Sequence, residues 1–320
     1  MNVYLTFDIE VWCNGWTNLD ERFPTSFERY VYGRSAAGDY ALPKTLEIMA
    51  RHGVHGVFFV EPLFAARFGV EHLATIVALI QEAGQEVQLH LHPEWTDEIR
   101  PAVFPDKPFK RQHLCFYDLD EQIELIRLGM DLLTQAGAAP LTAFRAGSFA
   151  ANADTLTAVE RCGLRFDASL NMNYPISGSD LRAEFDFYHP RRRDGLTLLP
   201  MTTFRDGFGR LRHAQVGACS VAELQQAMED SAVREHPCFT ILSHNFEMLR
   251  AGSSRPDPIV AARFEKLCRH LGRNREPLPT AGLASQAALE APATPDELSR
   301  CGALATARRY AGQAVRRLWH

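Results

Sequence analysis

The stretch "HGVFFVEPLFAARFGVEHLATIVALIQEAGQEVQLHLHPEW", residues 55–95, opens on an apolar β-rich run, passes through a helical pattern and closes on a second β-rich run. Strands alternating with helices of this length predict βαβ units and a parallel sheet. Before it lie the strand "VYLTFD" and the helix "LPKTLEIMARHG", which carries its own Gly stop. After it the alternation runs through "DLDEQIELIRLGMDLLTQAG", "LTAFRAG", "NADTLTAVERCG", "RFDASL", "LTLLPMTTF", "SVAELQQAMEDSAV", "CFTILSHNF" and "DPIVAARFEKLCRHLG". The expectation is an α/β fold of about seven parallel strands, a number that suits a closed or nearly closed barrel. A doubly wound sheet is the second reading.

The last run, "EVQLHLHPEW", sets His90 and His92 on one face of a strand, with Leu89 and Leu91 on the other and Pro93 ending it. Neighbouring imidazoles gain little from each other unless a cation or a carboxylate lies between them. Asp8 and Glu10 close the first strand as a carboxylate pair that repels unless a metal, an Arg or a proton neutralises it. Arg145 ends "LTAFR", Asp167 lies in "RFDASL" and His244 ends "CFTILSH". In parallel α/β folds such strand ends converge on the ligand-binding face. Each residue also has a plain reading. Glu10 is screened by water, Arg145 is an ion-pair partner, and Asp167 caps its own turn beside Ser169 and Asn171.

A length of 320 residues falls in the range of an α/β barrel, and a net charge of −5 argues against a nucleic-acid footprint over the whole chain. Seven scattered cysteines without a CxxC pair read as reduced thiols. With neither a secretory n- and h-region nor a membrane-length apolar run, the expected location is the cytoplasm. Residues 1–274 read as the catalytic barrel. Residues 275–320 read as an Ala/Pro-rich linker followed by a basic helix bearing Arg308, Arg309, Arg316 and Arg317. That helix either makes peripheral contact with an anionic membrane or packs back through Leu304, Tyr310 and Leu318.

Taken in order, "LTFDIE", "GVHGVFFVEPLFAARFG", "AGQEVQLHLHPEW", "FRAGSFAANADTLTAVERCGLRFDASL" and "ILSHNFEML" resemble the motifs of the polysaccharide deacetylase (NodB-homology) superfamily, over roughly residues 2–270. The resemblance implies a distorted (β/α) barrel and metal-dependent removal of acetyl groups from N-acetylated sugars. It implies Asp8 as base, Arg145 as its positioner, His244 as acid, Asp167 as the orienter of His244, and Glu10, His90 and His92 as metal ligands. Two departures stand out. Ile9 sits where the family's second aspartate is usual, so Asp8 and Glu10 could exchange or share roles. The family's ligand histidines are four apart, which keeps Glu94 as a reserve ligand.

The chemistry asks for these parts. Two imidazoles and a carboxylate suit Zn²⁺, with Co²⁺, Ni²⁺ or Mn²⁺ as alternatives, and such an ion lowers the pKa of water toward about 7 while polarising a carbonyl. Trp12, Trp16, Trp95 and Tyr174 are candidates for stacking on sugar faces. The expected substrate is an N-acetylated sugar in a polysaccharide or in a lipid- or nucleotide-linked glycan precursor. A hydrolase of another small amide or cyclic ureide, and a non-catalytic carbohydrate-binding relative, remain as alternatives.

Overall fold

The computed structural model describes residues 1–174, 181, 187–290 and 297–319; of residues 318 and 319 only the backbone is described, so the expected Leu318 contact lies outside the described side chains. The principal strands are β1 (Asn2–Ile9), β2 (Val57–Val60), β3 (Glu86–Leu91), β4 (Ala143–Ala146), β5 (Phe166–Asp167), β6 (Arg191–Arg193), β7 (Leu196–Leu198) and β8 (Cys238–His244). The helices used below are α1 (Leu19–Phe27), α2 (Leu42–His52), α3 (Val70–Glu82), α4 (Leu119–Gln135), α5 (Ala153–Arg161), α6 (Val221–Val233), α7 (Pro258–Arg273) and α8 (Ala303–Trp319). Their ends follow local chemistry. Pro opens α2, and Gly53 closes it at φ 59°, a left-handed position that costs glycine little. Capping boxes at Asp118/Glu121, Asn152/Thr155 and Ser220/Glu223 start α4, α5 and α6.

The chain divides into two compact units. The first comprises Met1–Gly56, Thr203–Ala281 and Glu297–His320. Here β1 and β8 pair in parallel from Asn2 opposite Cys238 to Asp8 opposite His244. Val3 to Ile9 are all buried, as both faces of a covered parallel strand require. The Ala/Pro-rich stretch bonds to the start of β1: the Val3 amide donates to Pro279 O (2.8 Å) and the Ala281 amide to Val3 O (3.1 Å). Helix α8 lies on the same unit, held by Arg309 on Asp206 (2.7 Å) and Glu223 (3.1 Å) and by Arg316 on Asp257 (2.8 Å).

The second unit comprises Val57–Thr202 and Gly282–Asp296. Strands β2, β3, β4, β5 and β7 pair in parallel in that order, and β6 runs antiparallel to β7. Among the described residues the parallel strands therefore number seven, two in one unit and five in the other, as the sequence led us to expect. One expected strand is not continuous. "LTLLPMTTF" stops at Leu198, and Thr203–Arg205 forms a hairpin with Leu211–His213 in the first unit. Pro200 between them has no amide with which to continue a ladder.

Candidate active site and metal ligands

Parallel pairing of β1 with β8 in the register Asp8↔His244 delivers the acids and an imidazole to the same strand ends. Asp8, Glu10 and His244 each present a ligand atom, and these atoms lie within 4.8 Å of one another. Both carboxylates are more than nine-tenths buried. The backbone around Glu10 is stapled by Asn245, whose Oδ1 accepts from Glu10 N (3.2 Å) and whose Nδ2 donates to Glu10 O (3.1 Å) and Tyr30 O (2.6 Å). Trp12 donates its indole N–H to Glu10 Oε2 at 2.6 Å, and its ring meets Trp16 edge-on.

His244 Nδ1 faces Glu247 Oε1 at 3.4 Å. Glu247 is itself fixed by Gly217 N (2.9 Å), Ser243 Oγ (3.1 Å) and the Gln215 amide. Burial depresses the imidazole pKa, but the Glu247 hydrogen bond and the charges of Glu10, Glu247 and Asp8 outweigh it and push it up to about 9. In metal-free protein the stabilisation from the charged ring is thus complete below about 6.5 and lost as pH rises through about 9. Replacing Glu247 with Gln should move that loss to lower pH, read from the His244 ring protons by NMR. An unmoved titration would show that Glu247 does not control His244.

In the second unit, His90 lies on β3, 1% exposed, with Nδ1 2.8 Å from Arg145 O. A carbonyl only accepts, so this nitrogen carries the proton and Nε2 carries the lone pair. His92 Nδ1 sits 3.2 Å from Glu94 Oε2, which holds the same tautomer. The two rings meet at 4.8 Å between centroids, inclined by 81°. Nδ1–H bonded to an oxygen, with Nε2 left as donor, is the usual arrangement of metal-ligating histidine. Glu94 thus grips a histidine with the oxygen that a reserve ligand would offer. Two imidazole nitrogens presented in this way are donors of the kind that a divalent cation of the Zn²⁺ type takes.

Gly147 explains the packing of His92. A Cβ there would lie 2.7 Å from His92 Cε1 and Nδ1 and 2.7 Å from Leu91 O. The turn that follows places both Ser148 and Phe149 at φ 56°, an uncommon backbone for side-chain-bearing residues. Gly147→Ala is therefore expected to displace the His92 ring and to cost about 1–3 kcal/mol in a urea melt, as overpacking does. Weakened metal retention should accompany it, and wild-type retention would refute the steric role.

Arg145 is fully buried, its guanidinium 4.2 Å from the Phe59 ring centroid and its Nε 3.3 Å from Ala168 O. Asp167 Oδ1 accepts from Ser169 N (3.0 Å) and its Oδ2 from Ser169 Oγ (2.9 Å), so it does cap its own turn. Burial pushes Asp167 up to about 6 against the opposing pull of Ser169 and the Arg145 charge. Glu61, just past β2, was not anticipated. It is 1% exposed, its Oε2 has no partner among the described residues, and burial raises it to about 8, with the Leu63 amide and the His92 charge pulling the other way.

Trp95 corrects an expectation. It is 1% exposed, with its ring edge-on to Phe64 and Phe68, and has no face to offer a sugar. The turn Pro93–Glu98 folds it inward against an apolar patch. Tyr174 is 51% exposed and meets Phe149 edge-on. Glu247, Asn245, Gly147 and Glu61 are the residues that sequence reasoning missed. Glu247 lay in plain view three positions after His244, in "SHNFE".

No family model and no curated protein matches this chain. Solved structures do. A Mycobacterium smegmatis protein assigned as a polysaccharide deacetylase superposes with a TM-score of 0.53 at 19% identity, covering 93% of this chain and 94% of its own. A 4-alpha-glucanotransferase from Thermococcus litoralis gives a TM-score of 0.52 at 10% identity, covering 94% of this chain and 41% of its own. At these identities the likeness carries the fold, the mostly parallel α/β fold of the polysaccharide-deacetylase kind that the sequence led us to expect.

Proposed function

We propose that this chain belongs to the polysaccharide deacetylase superfamily and is a metal-dependent hydrolase that removes acetyl groups from an N-acetylated sugar. The observation that carries the reading is the cluster of buried Asp8 and Glu10 with the half-buried His244, whose ligand atoms lie within 4.8 Å, since a base, a metal carboxylate and an acid are what amide hydrolysis needs. The orientation of His90 and His92 through their Nδ1 atoms supports their part. In this reading Glu10, His90 and His92 hold the cation, with Zn²⁺ as first choice. A cation held by these groups supplies Lewis acidity toward water and the amide carbonyl.

The protein's own groups do the rest. Asp8 takes the proton of the attacking water at a carboxylate oxygen. Arg145 is the proposed positioner of Asp8. His244 Nε2 gives a proton to the departing nitrogen, while Glu247 holds Nδ1 and keeps the ring charged. Asp167 remains a proposed contributor to orienting His244. Trp12 and Tyr174 remain the proposed stacking groups, both with surface to offer. Among the described residues no helix is long and apolar enough to cross a membrane. A lipid- or nucleotide-linked precursor is the proposed form of the sugar, and the cytoplasm the proposed location.

Acetate release from N-acetylhexosamine oligomers and from nucleotide- and lipid-linked N-acetyl sugars tests this, with metal content measured alongside. Metal-dependent release from any of them is the expected result. Stoichiometric metal without release from any would move the reading to another amide substrate. No metal at all would favour a carbohydrate-binding relative.

A further inference from the structure

We propose that the cleft bordered by α6, α7 and α8 binds an anion bearing two or more phosphate charges. The cleft has a volume of about 1020 Å³ and lies within the first unit. Lys266, Arg269 and Arg273 stand at i, i+3 and i+7 on α7, so they share one helix face. Arg308 reaches the same cleft from α8. All four are exposed, none has a carboxylate partner among the described residues, and no Asp or Glu lines the cleft. A fifth cation, Arg263, lies against its wall, 7% exposed, with Nη1 on Val216 O and Gly217 O at 3.1 Å each. His270 also lines it, its buried Nε2 without a hydrogen-bond partner.

Two of the acids nearby are already taken up, while Glu229 acts on His270 from outside the lining. Glu223 is taken up by Arg309, and Asp257 by Arg316. Anchoring α8 through those two arginines leaves Arg308 for the cleft. Concave surfaces lined by one sign of charge focus the field and concentrate counter-ions, which a flat array of lysines and arginines does not do. Several guanidinium forks at one place suit phosphate oxygens in particular. The cleft also gives the basic C-terminal segment a role different from the flat membrane contact its sequence suggests. None of these residues belongs to the hydrolytic machinery, so the inference stands apart from that reading.

The test uses the full chain and inorganic pyrophosphate, followed by titration calorimetry at low ionic strength, with flotation on phosphatidylglycerol/phosphatidylcholine vesicles as a second arm. Saturable pyrophosphate binding is expected, weakened by about tenfold or more in the Arg269→Gln/Arg273→Gln variant and only partly recovered in Arg269→Lys/Arg273→Lys, which keeps the charges but not the forks. Both pairs are exposed, and circular dichroism checks that the variants fold. Flotation that fails in the Gln variant would identify a phospholipid headgroup as the source of the phosphate. Pyrophosphate binding without flotation would identify a free phosphate ester. Absence of binding in both arms, or equal binding by the Gln variant, overturns the proposal.

Discussion

Asp8→Asn is expected to lower kcat for acetate release by about 10²–10⁴-fold, the range lost when a positioned general base is removed. Asn has nearly the size of Asp but cannot take a proton from water. KM should change little, because the carboxylate acts in the transition state rather than in ground-state binding. The substitution also removes one of the charges that hold the His244 ring protonated, so the acid's titration should fall in the same variant. Metal content separates the two assignments left open by Ile9. Retained stoichiometric metal assigns Asp8 as base and Glu10 as ligand, whereas lost metal exchanges them. Activity within a few-fold of wild type would remove Asp8 from the mechanism altogether.

His92→Ala should weaken divalent-metal retention by at least about 10²-fold, and activity should fall with it, since losing a ligand exceeds the 10–100-fold typical of losing a group that only orients one. Glu94→Gln provides the comparison, because its Oε2 holds His92 Nδ1. It should fall within that smaller range. Metal content after exhaustive dialysis gives the order, and partial recovery on adding free imidazole to His92→Ala would show that the lost donor was the ring. If Glu94→Gln loses more metal than His92→Ala, Glu94 is the ligand and the histidine its support. Wild-type metal content in His92→Ala would end the assignment of His92 as a ligand.

Period-two alternation placed His90 beside His92, because side-chain direction along a strand depends only on the local backbone. The Gly53 stop was equally local, and the structure has it where the sequence puts it, whereas the capping boxes emerged only with the structure. Parallel strands could be counted from β-rich runs separated by helices, apart from the run that Pro200 divides.

What the chain's order of residues determined by itself was therefore the βα alternation, the strand ends, and which acids and imidazoles stand at them. Only the tertiary structure decided what each of those groups touches. The register of β1 against β8 brought Asp8 to His244 across more than two hundred positions of sequence. The turn after β8 put Glu247 behind His244, and the turn after β3 put Trp95 into the core instead of at a rim. Hydrogen-bond partners, burial and pKa values are set by neighbours distant along the chain, and no local pattern of side chains encodes them.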